Sequence, residues 1–248
     1  MKHTKLISIG ALPLMWTIYF LFELLTGRIT SISSFIFNCI LILLFSIVGY
    51  FIYTLSKKHM EGLSKRSIFL TFIISLIIDQ GIKIIIKYFY FNTNIVFIKN
   101  ILSFSPIINN DGSWLNARFN TSISFTFLIV INAVALLILY ELFKYSLYKG
   151  HKSFWGDIAF IFLFTGALCS FIDKVFYGGS LDFIGICNLF IADIKDIYIN
   201  LGLYAFIICA YNSGYLTSED NSTFKDDLNS IKSFLTFVKN DLFSKSTK

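Results

Sequence analysis

The sequence predicts an all-α polytopic membrane protein with six transmembrane helices. A four-helix core follows a leading helical hairpin and carries a small extracytoplasmic subdomain containing β-strand. Three observations carry this prediction. Hydrophobic residues make up 56% of the chain and charged residues 15%, against roughly 25% charged in a soluble domain. The apolar residues gather into six runs, of the length that crosses a hydrocarbon layer about 30 Å thick. The basic residues collect in alternate connections between those runs, the pattern of cytoplasmic loops.

The runs follow in order. Leu6 to Phe22, extended to about Leu25, comes first behind Lys2 and Lys5. A cleaved signal peptide competes with a retained helix here. No clear small-x-small cleavage site is present and a second run, Ser33 to Leu55, follows at once, so a retained hairpin turning near Gly27-Arg28 is expected. The basic loop Lys57 to Arg66 then leads into Ser67 to about Ile86, which carries Asp79 and Lys83 near its far end. Lys87 to Thr121 is the longest connection. It mixes aromatic and β-branched residues with Asn, Asp and Gly turn signals, so some strand is expected there. The fourth run is Ser122 to Phe143, the fifth Ile158 to Ile172, ending on Asp173, and the sixth Ile197 to Leu216. Beyond it, Phe224, Leu228, Ile231, Leu235, Val238 and Leu242 recur at steps of three and four, which predicts an amphipathic helix. With lysines on its polar side, that helix suits the inner leaflet. The division expected is a hairpin over 1–56, a core over 57–216 and a cytoplasmic tail over 217–248.

The inner loops and N-terminus hold Lys2, Lys5, Lys57, Lys58, Lys65, Arg66, Lys144, Lys149 and Lys152, and the short outer loops Arg28, Lys174 and Lys195. Both termini are therefore expected on the cytoplasmic side. The net charge of +6 has the same origin; no basic stripe interleaved with exposed aromatics points to nucleic acid. The four cysteines, Cys39, Cys169, Cys187 and Cys209, form no CxxC pair, and no His/Cys spacing suggests zinc. All three histidines, His3, His59 and His151, lie in expected cytoplasmic segments. Histidine-dependent nucleophilic chemistry at the outer face therefore has no histidine to use.

Acidic residues are scarce in the runs, yet Asp79, Asp173, Asp182, Asp193 and Asp196 all fall on the outer side. A carboxylate at that depth is costly unless paired, hydrated or used. Two carboxylates held close cannot both ionise, so they share a proton. Such a pair hydrolyses a peptide bond when the ionised member takes a proton from water and the protonated member polarises the carbonyl and donates to the leaving nitrogen. Against that stands a plain reading, with Asp173-Lys174 as a boundary ion pair and Asp193, Lys195 and Asp196 as a solvated loop edge.

Four motifs, in order, resemble the lipoprotein signal peptidase (signal peptidase II) family over about Ser67 to Leu216. Asp79-Gln80-Gly81-Ile82-Lys83 is similar to D-Q-x-x-K. Asn109 to Leu115 resembles N-x-G-A-A-F, with Asn110 and Gly112 at the matching places. Gly166 to Lys174 resembles G-A-x-G-N-x-x-D-R and runs on into Gly178-Gly179-Ser180-Leu181-Asp182-Phe183, like G-x-V-V-D-F. Asp193-Ile194-Lys195-Asp196 with Gly202 resembles N-x-A-D-x-x-x-x-x-G. The departures are Cys169-Ser170 for Gly-Asn, Lys174 for Arg, and Asp193 for Asn. Lysine keeps arginine's charge but loses its planar fork.

The resemblance implies an intramembrane aspartic endopeptidase of the bacterial cytoplasmic membrane. It would cleave lipid-modified prolipoproteins just before the diacylglyceryl cysteine, as a monomer among membrane lipids, with no cofactor or metal. Asp173 and Asp196 are then the expected catalytic pair. Asp193 is the rival for the second place, because Ala192-Asp193 matches the A-D dipeptide directly. Asp79, Lys83, Asn110, Gly112, Ser170, Lys174 and Asp182 are expected to be structural or to position substrate. A catalytically silent lipopeptide-binding relative and a small ion-coupled transporter are the alternatives. The clustering of carboxylates at one face disfavours the transporter, whose sites usually lie near the midplane.

Overall fold

Serines start four of the helices. Ser31, Ser64, Ser124 and Ser153 each stand in extended backbone, and each side chain accepts from the backbone N–H three residues on. This satisfies one of the N–H groups that a helix start leaves free. The helices so begun are α2 (Ile32–Lys58), α3 (Lys65–Ile85), α5 (Phe125–Tyr148) and α6 (Phe154–Phe176). With α1 (Lys2–Leu25) and α7 (Ile194–Asn212), they are the six described helices long and apolar enough to cross a membrane. The computed structural model describes residues 2–110, 114–119, 121, 123–214, 216 and 223–243. Leu43, Ile47 and Phe51 on α2, and Val130, Val134 and Leu137 on α5, are exposed. Helices apolar on their outer faces as well as their inner ones belong in hydrocarbon rather than water.

Two glycines bring α6 and α7 together. A Cβ on Gly202 would lie 2.8 Å from the backbone nitrogen of Leu163, and one on Gly166 would lie 2.5 Å from Cγ1 of Ile199. Small residues allow this approach where lipid supplies no hydrophobic drive between helices. Around the α6–α7 contact, Trp155, Ala159, Tyr204, Ala205 and Ile208 form a core joined by Ala11 and Leu12 of α1. The Tyr204 hydroxyl donates to the Ser8 carbonyl, which ties the leading hairpin to the core.

At one end of the bundle lies a four-stranded antiparallel sheet in the order β1 (Ile95–Ile98), β2 (Leu102–Asn109), β3 (Ser180–Ile186) and β4 (Phe190–Ala192). α3 runs into it through a π-helical turn over Ile86–Tyr90. A short helix, α4 (Trp114–Phe119), lies between β2 and α5. β1 and β2 fall where strand was expected. β3 and β4 occupy a stretch read from the sequence as a plain connection, and α6 and α7 extend to include Asp173 and Asp196.

The opposite end carries the basic loops. There the Leu63 N–H donates to Asp157 at 2.6 Å, and the His59 and Phe154 rings stack. The tail helix α8 (Phe224–Phe243) has the expected span. It packs Phe234 and Phe237 against Tyr145 of α5, whose hydroxyl pairs with Ser233 at 3.0 Å.

Candidate active site

The site is assembled where α3, α6, β3 and the start of α7 meet at the sheet end. On α3, Asp79 and Lys83 stand one turn apart and so share a face. The Lys83 ammonium lies 2.9 Å from Asp79, 2.7 Å from Asp173 and 2.7 Å from Asp193, and all four residues are buried. Gln80 donates to Asp79 at 3.0 Å and to Asp173 at 3.3 Å. A second buried ammonium, on Lys195, contacts Asp193 directly and lies 3.4 Å from Asp173 and 3.7 Å from Asp182.

β3 brings Ser180 and Asp182 to the same place because residues two apart share a strand face. Ser180 Oγ lies 2.6 Å from Asp182, 3.2 Å from Asp173 and 3.2 Å from Asp193, and it accepts from Lys195. One hydroxyl has one proton to give, so Ser180 is the centre at which the carboxylates converge. Asn109 of β2 stands opposite Ser180 in the register and donates to the second oxygen of Asp182 at 2.9 Å. The Gly178-Gly179 turn permits this junction. Gly178 has φ +68°, and a Cβ on Gly179 would lie 2.6 Å from Oδ1 of Asn110.

Asp193 is the N-cap of α7, and its two oxygens have separate duties. Oδ1 accepts the N–H of Asp196 at 3.3 Å, while Oδ2 faces Lys83 and Lys195. Asp196 turns back to accept the Asp193 N–H at 3.1 Å, which completes a capping box. Asp182, Asp193 and Asp196 each present an oxygen within 4.8 Å of the others, and Asp173 lies outside that trio. Those oxygens are of the kind that hold a hard cation, although two ammonium groups already stand against Oδ2 of Asp193.

Burial raises Asp182 above the ordinary carboxylate range and outweighs Lys195; the neighbouring Asp193 adds to the rise. Burial acts on Asp193 in the same direction, but Lys195 and Lys83 overcome it and hold Asp193 below that range. Neighbouring carboxylates driven apart in this way divide acid and base roles between them. Four buried carboxylates (Asp79, Asp173, Asp182, Asp193) face two buried ammonium groups (Lys83, Lys195).

The family model described as Signal peptidase (SPase) II matches residues 71–212, which contain every group named above. The chain belongs to the signal peptidase II family. A lipoprotein signal peptidase from Microcystis aeruginosa is 23% identical over 143 residues, 56% of this chain and 88% of its own length. Two solved structures of a bacterial membrane enzyme, at 2.3 and 1.9 Å resolution, share the fold. Their TM-scores are 0.53 and 0.51 and their identities 24% and 25%. The matches cover 66% and 64% of this chain and 98% of each of theirs. Membership makes the chain a membrane-embedded protease of the signal peptidase type. α1, α2 and α8 lie outside the family match.

The residues singled out from the sequence fare differently. Asp79, Lys83, Asp173, Asp182 and Asp193 meet in one cluster. Asp173 and Asp196 are not brought together as a pair; each is held by other partners. Ser170 accepts from Lys174 at 2.6 Å and from Asn132 at 3.1 Å, one step from the carboxylates. Asn110 is exposed, and its neighbour Asn109 makes the contact to Asp182. Gly112 lies outside the described residues. Sequence reasoning missed Ser180, Lys195 and Asn109. Period-two alternation from Asp182 would have found Ser180. A lysine set against the positive-inside bias between two aspartates was the available signal for Lys195.

Proposed function

We propose that this chain is an intramembrane aspartic endopeptidase that removes signal peptides from diacylglyceryl-modified prolipoproteins, with Asp182 and Asp193 as its catalytic dyad. The observation that carries the pairing is that Asp182 and Asp193 meet at Ser180 with their acidities displaced in opposite directions. Asp193, ionised, takes the proton from water. Asp182, protonated, polarises the scissile carbonyl and then passes its proton to the leaving nitrogen. Asp173 and Lys83 become the buried frame that fixes Asp193, and Asp196 secures the helix on which Asp193 sits. The Asp173–Asp196 pairing expected from motif spacing is set aside because Asp196 is committed to the capping box.

The site lies at the extracytoplasmic face of a bacterial cytoplasmic membrane, with both termini cytoplasmic, since the basic loops occupy the opposite end of the bundle. The hairpin 1–56, the core 57–216 and the tail 217–248 form one monomeric enzyme, with the substrate's lipid in the bilayer beside it. One observation favours a second reading, a relative that binds lipopeptide without turnover: two ammonium groups stand on Oδ2 of Asp193. Incubating purified protein in detergent with a diacylglyceryl-modified prolipoprotein separates the two. Release of the signal peptide supports the peptidase, and saturable binding without release supports the silent relative.

A further inference from the structure

The leading hairpin lies outside the family match, yet its sheet-side end grips the site's surroundings at several points. Glu23 of α1 is fully buried, 3.1 Å from Arg28 of the α1–α2 turn and 3.5 Å from Arg118 of α4. Arg28 uses its other terminal nitrogen to donate to the Leu189 carbonyl in the β3–β4 turn. The Tyr19 ring meets Phe190 of β4 edge-on, with centroids 5.6 Å apart. On α2, Asn38 donates to Cys187 Sγ at 3.7 Å, and Ser34 donates to the Asn100 carbonyl in the β1–β2 turn at 3.1 Å.

These contacts converge on the turn that needs outside support. Cys187 and Asn188 take φ +51° and +56°, a region that side chains other than glycine's enter at some expense. β4 runs only from Phe190 to Ala192, and Asp193 follows directly. A displacement of the turn therefore reaches Asp193 through three residues of strand. A buried glutamate in a lipid-facing hairpin is costly without a purpose. Its partners here are Arg28, which reaches the β3–β4 turn, and Arg118 of α4, which gives it one.

We infer that the N-terminal hairpin is a clamp on the sheet, with Glu23 as its hub and Arg28 as its grip on the β3–β4 turn, and that it positions Asp193 for the reaction. The inference rests on the dyad reading above. Arg28 and Glu23 are positioning residues and touch no reacting atom. Because the clamp acts through the position of Asp193, its effect falls on kcat rather than on KM.

Cys187 is a built-in reporter, because it is buried in the turn that the clamp holds. With Cys39, Cys169 and Cys209 replaced by alanine as the common background, Arg28→Ala is compared with Arg28→Lys and Glu23→Gln. Loss of one charge-assisted hydrogen bond corresponds to about a tenfold effect. Arg28→Ala should label Cys187 with maleimide about tenfold faster and lower kcat about tenfold, with KM within about twofold. Arg28→Lys, which still donates to the carbonyl, should restore most of both. Unchanged labelling in Arg28→Ala would overturn the clamp. Faster labelling with unchanged kcat would overturn the positioning role. Wild-type protein that cleaves no prolipoprotein would overturn the dyad reading and the catalytic half of the inference, while the labelling rates would still decide whether the clamp exists.

Discussion

Replacing Lys83 with methionine removes one cation from three carboxylates at once. Lys83 lies within 3 Å of Asp79, Asp173 and Asp193 and is buried with them. The losses are unequal. Asp173 and Asp193 keep Lys195, at 3.4 Å and in direct contact respectively. Among the described ion pairs, Asp79 has Lys83 alone. Stranding a buried charge costs about 3–5 kcal/mol, and protonation of Asp79 caps that figure well below three separate losses. For a chain of this length, thermal unfolding should fall by on the order of 10 °C. Adding Asp79→Asn removes the stranded charge and should recover at least half of the drop, a coupling that neither single change can show. Activity should respond as well. Asp193 keeps one ammonium instead of two, so its acidity moves back toward the ordinary carboxylate range and the acid limb of the pH–rate profile moves upward. The assays are thermal unfolding in detergent and prolipoprotein cleavage against pH. A Lys83→Met protein that melts with the wild type and keeps its acid limb would refute the reasoning.

Three further outcomes follow from the same structure. Cleavage in the wild type should be bell-shaped in pH. Activity is lost as pH falls through the value set by Asp193, below the ordinary carboxylate range, and as pH rises through the value set by Asp182, above it; both belong to the coupled pair. Asp196→Asn removes a first-turn charge and should cost about 0.3–1 kcal/mol of stability, with cleavage rates within about threefold of wild type. Gly202→Ala presses a Cβ to 2.8 Å from the Leu163 backbone, which cannot yield as a side chain would. It should lower stability by about 1–3 kcal/mol, whereas Gly10→Ala, with nothing within 4 Å, should not.

The spans were legible because hydrocarbon demands long apolar runs, and their charged ends were not. Asp173 and Asp196 look like residues beyond the helices, yet each is helical. Lys83 and Lys195 neutralise Asp173, and the capping box absorbs Asp196. The amphipathic tail was readable from its period, and docking on Tyr145 left that period intact. β3 escaped notice because its alternation, Ser180-Leu181-Asp182-Phe183, lasts only four residues and follows directly on the Gly178-Gly179 turn signal, so the stretch reads as a connection. That omission hid the pairing. Counting from Gly202 along one helix cannot show that a strand carries Asp182 to Ser180 and Asp193, or that Asp193 and Asp196 occupy the two ends of one capping box. That the aspartates gather at one end of the bundle could be read from the sequence, but their partners depended on register.

The most direct measurement is single-turnover cleavage of a diacylglyceryl-modified prolipoprotein by purified wild type, Asp182→Asn, Asp193→Asn and Asp196→Asn, each shown to be folded by its thermal transition. The account predicts signal-peptide release by wild type and Asp196→Asn, and none by Asp182→Asn or Asp193→Asn. Release at the wild-type rate by Asp182→Asn, or its loss in Asp196→Asn with the fold intact, would contradict it.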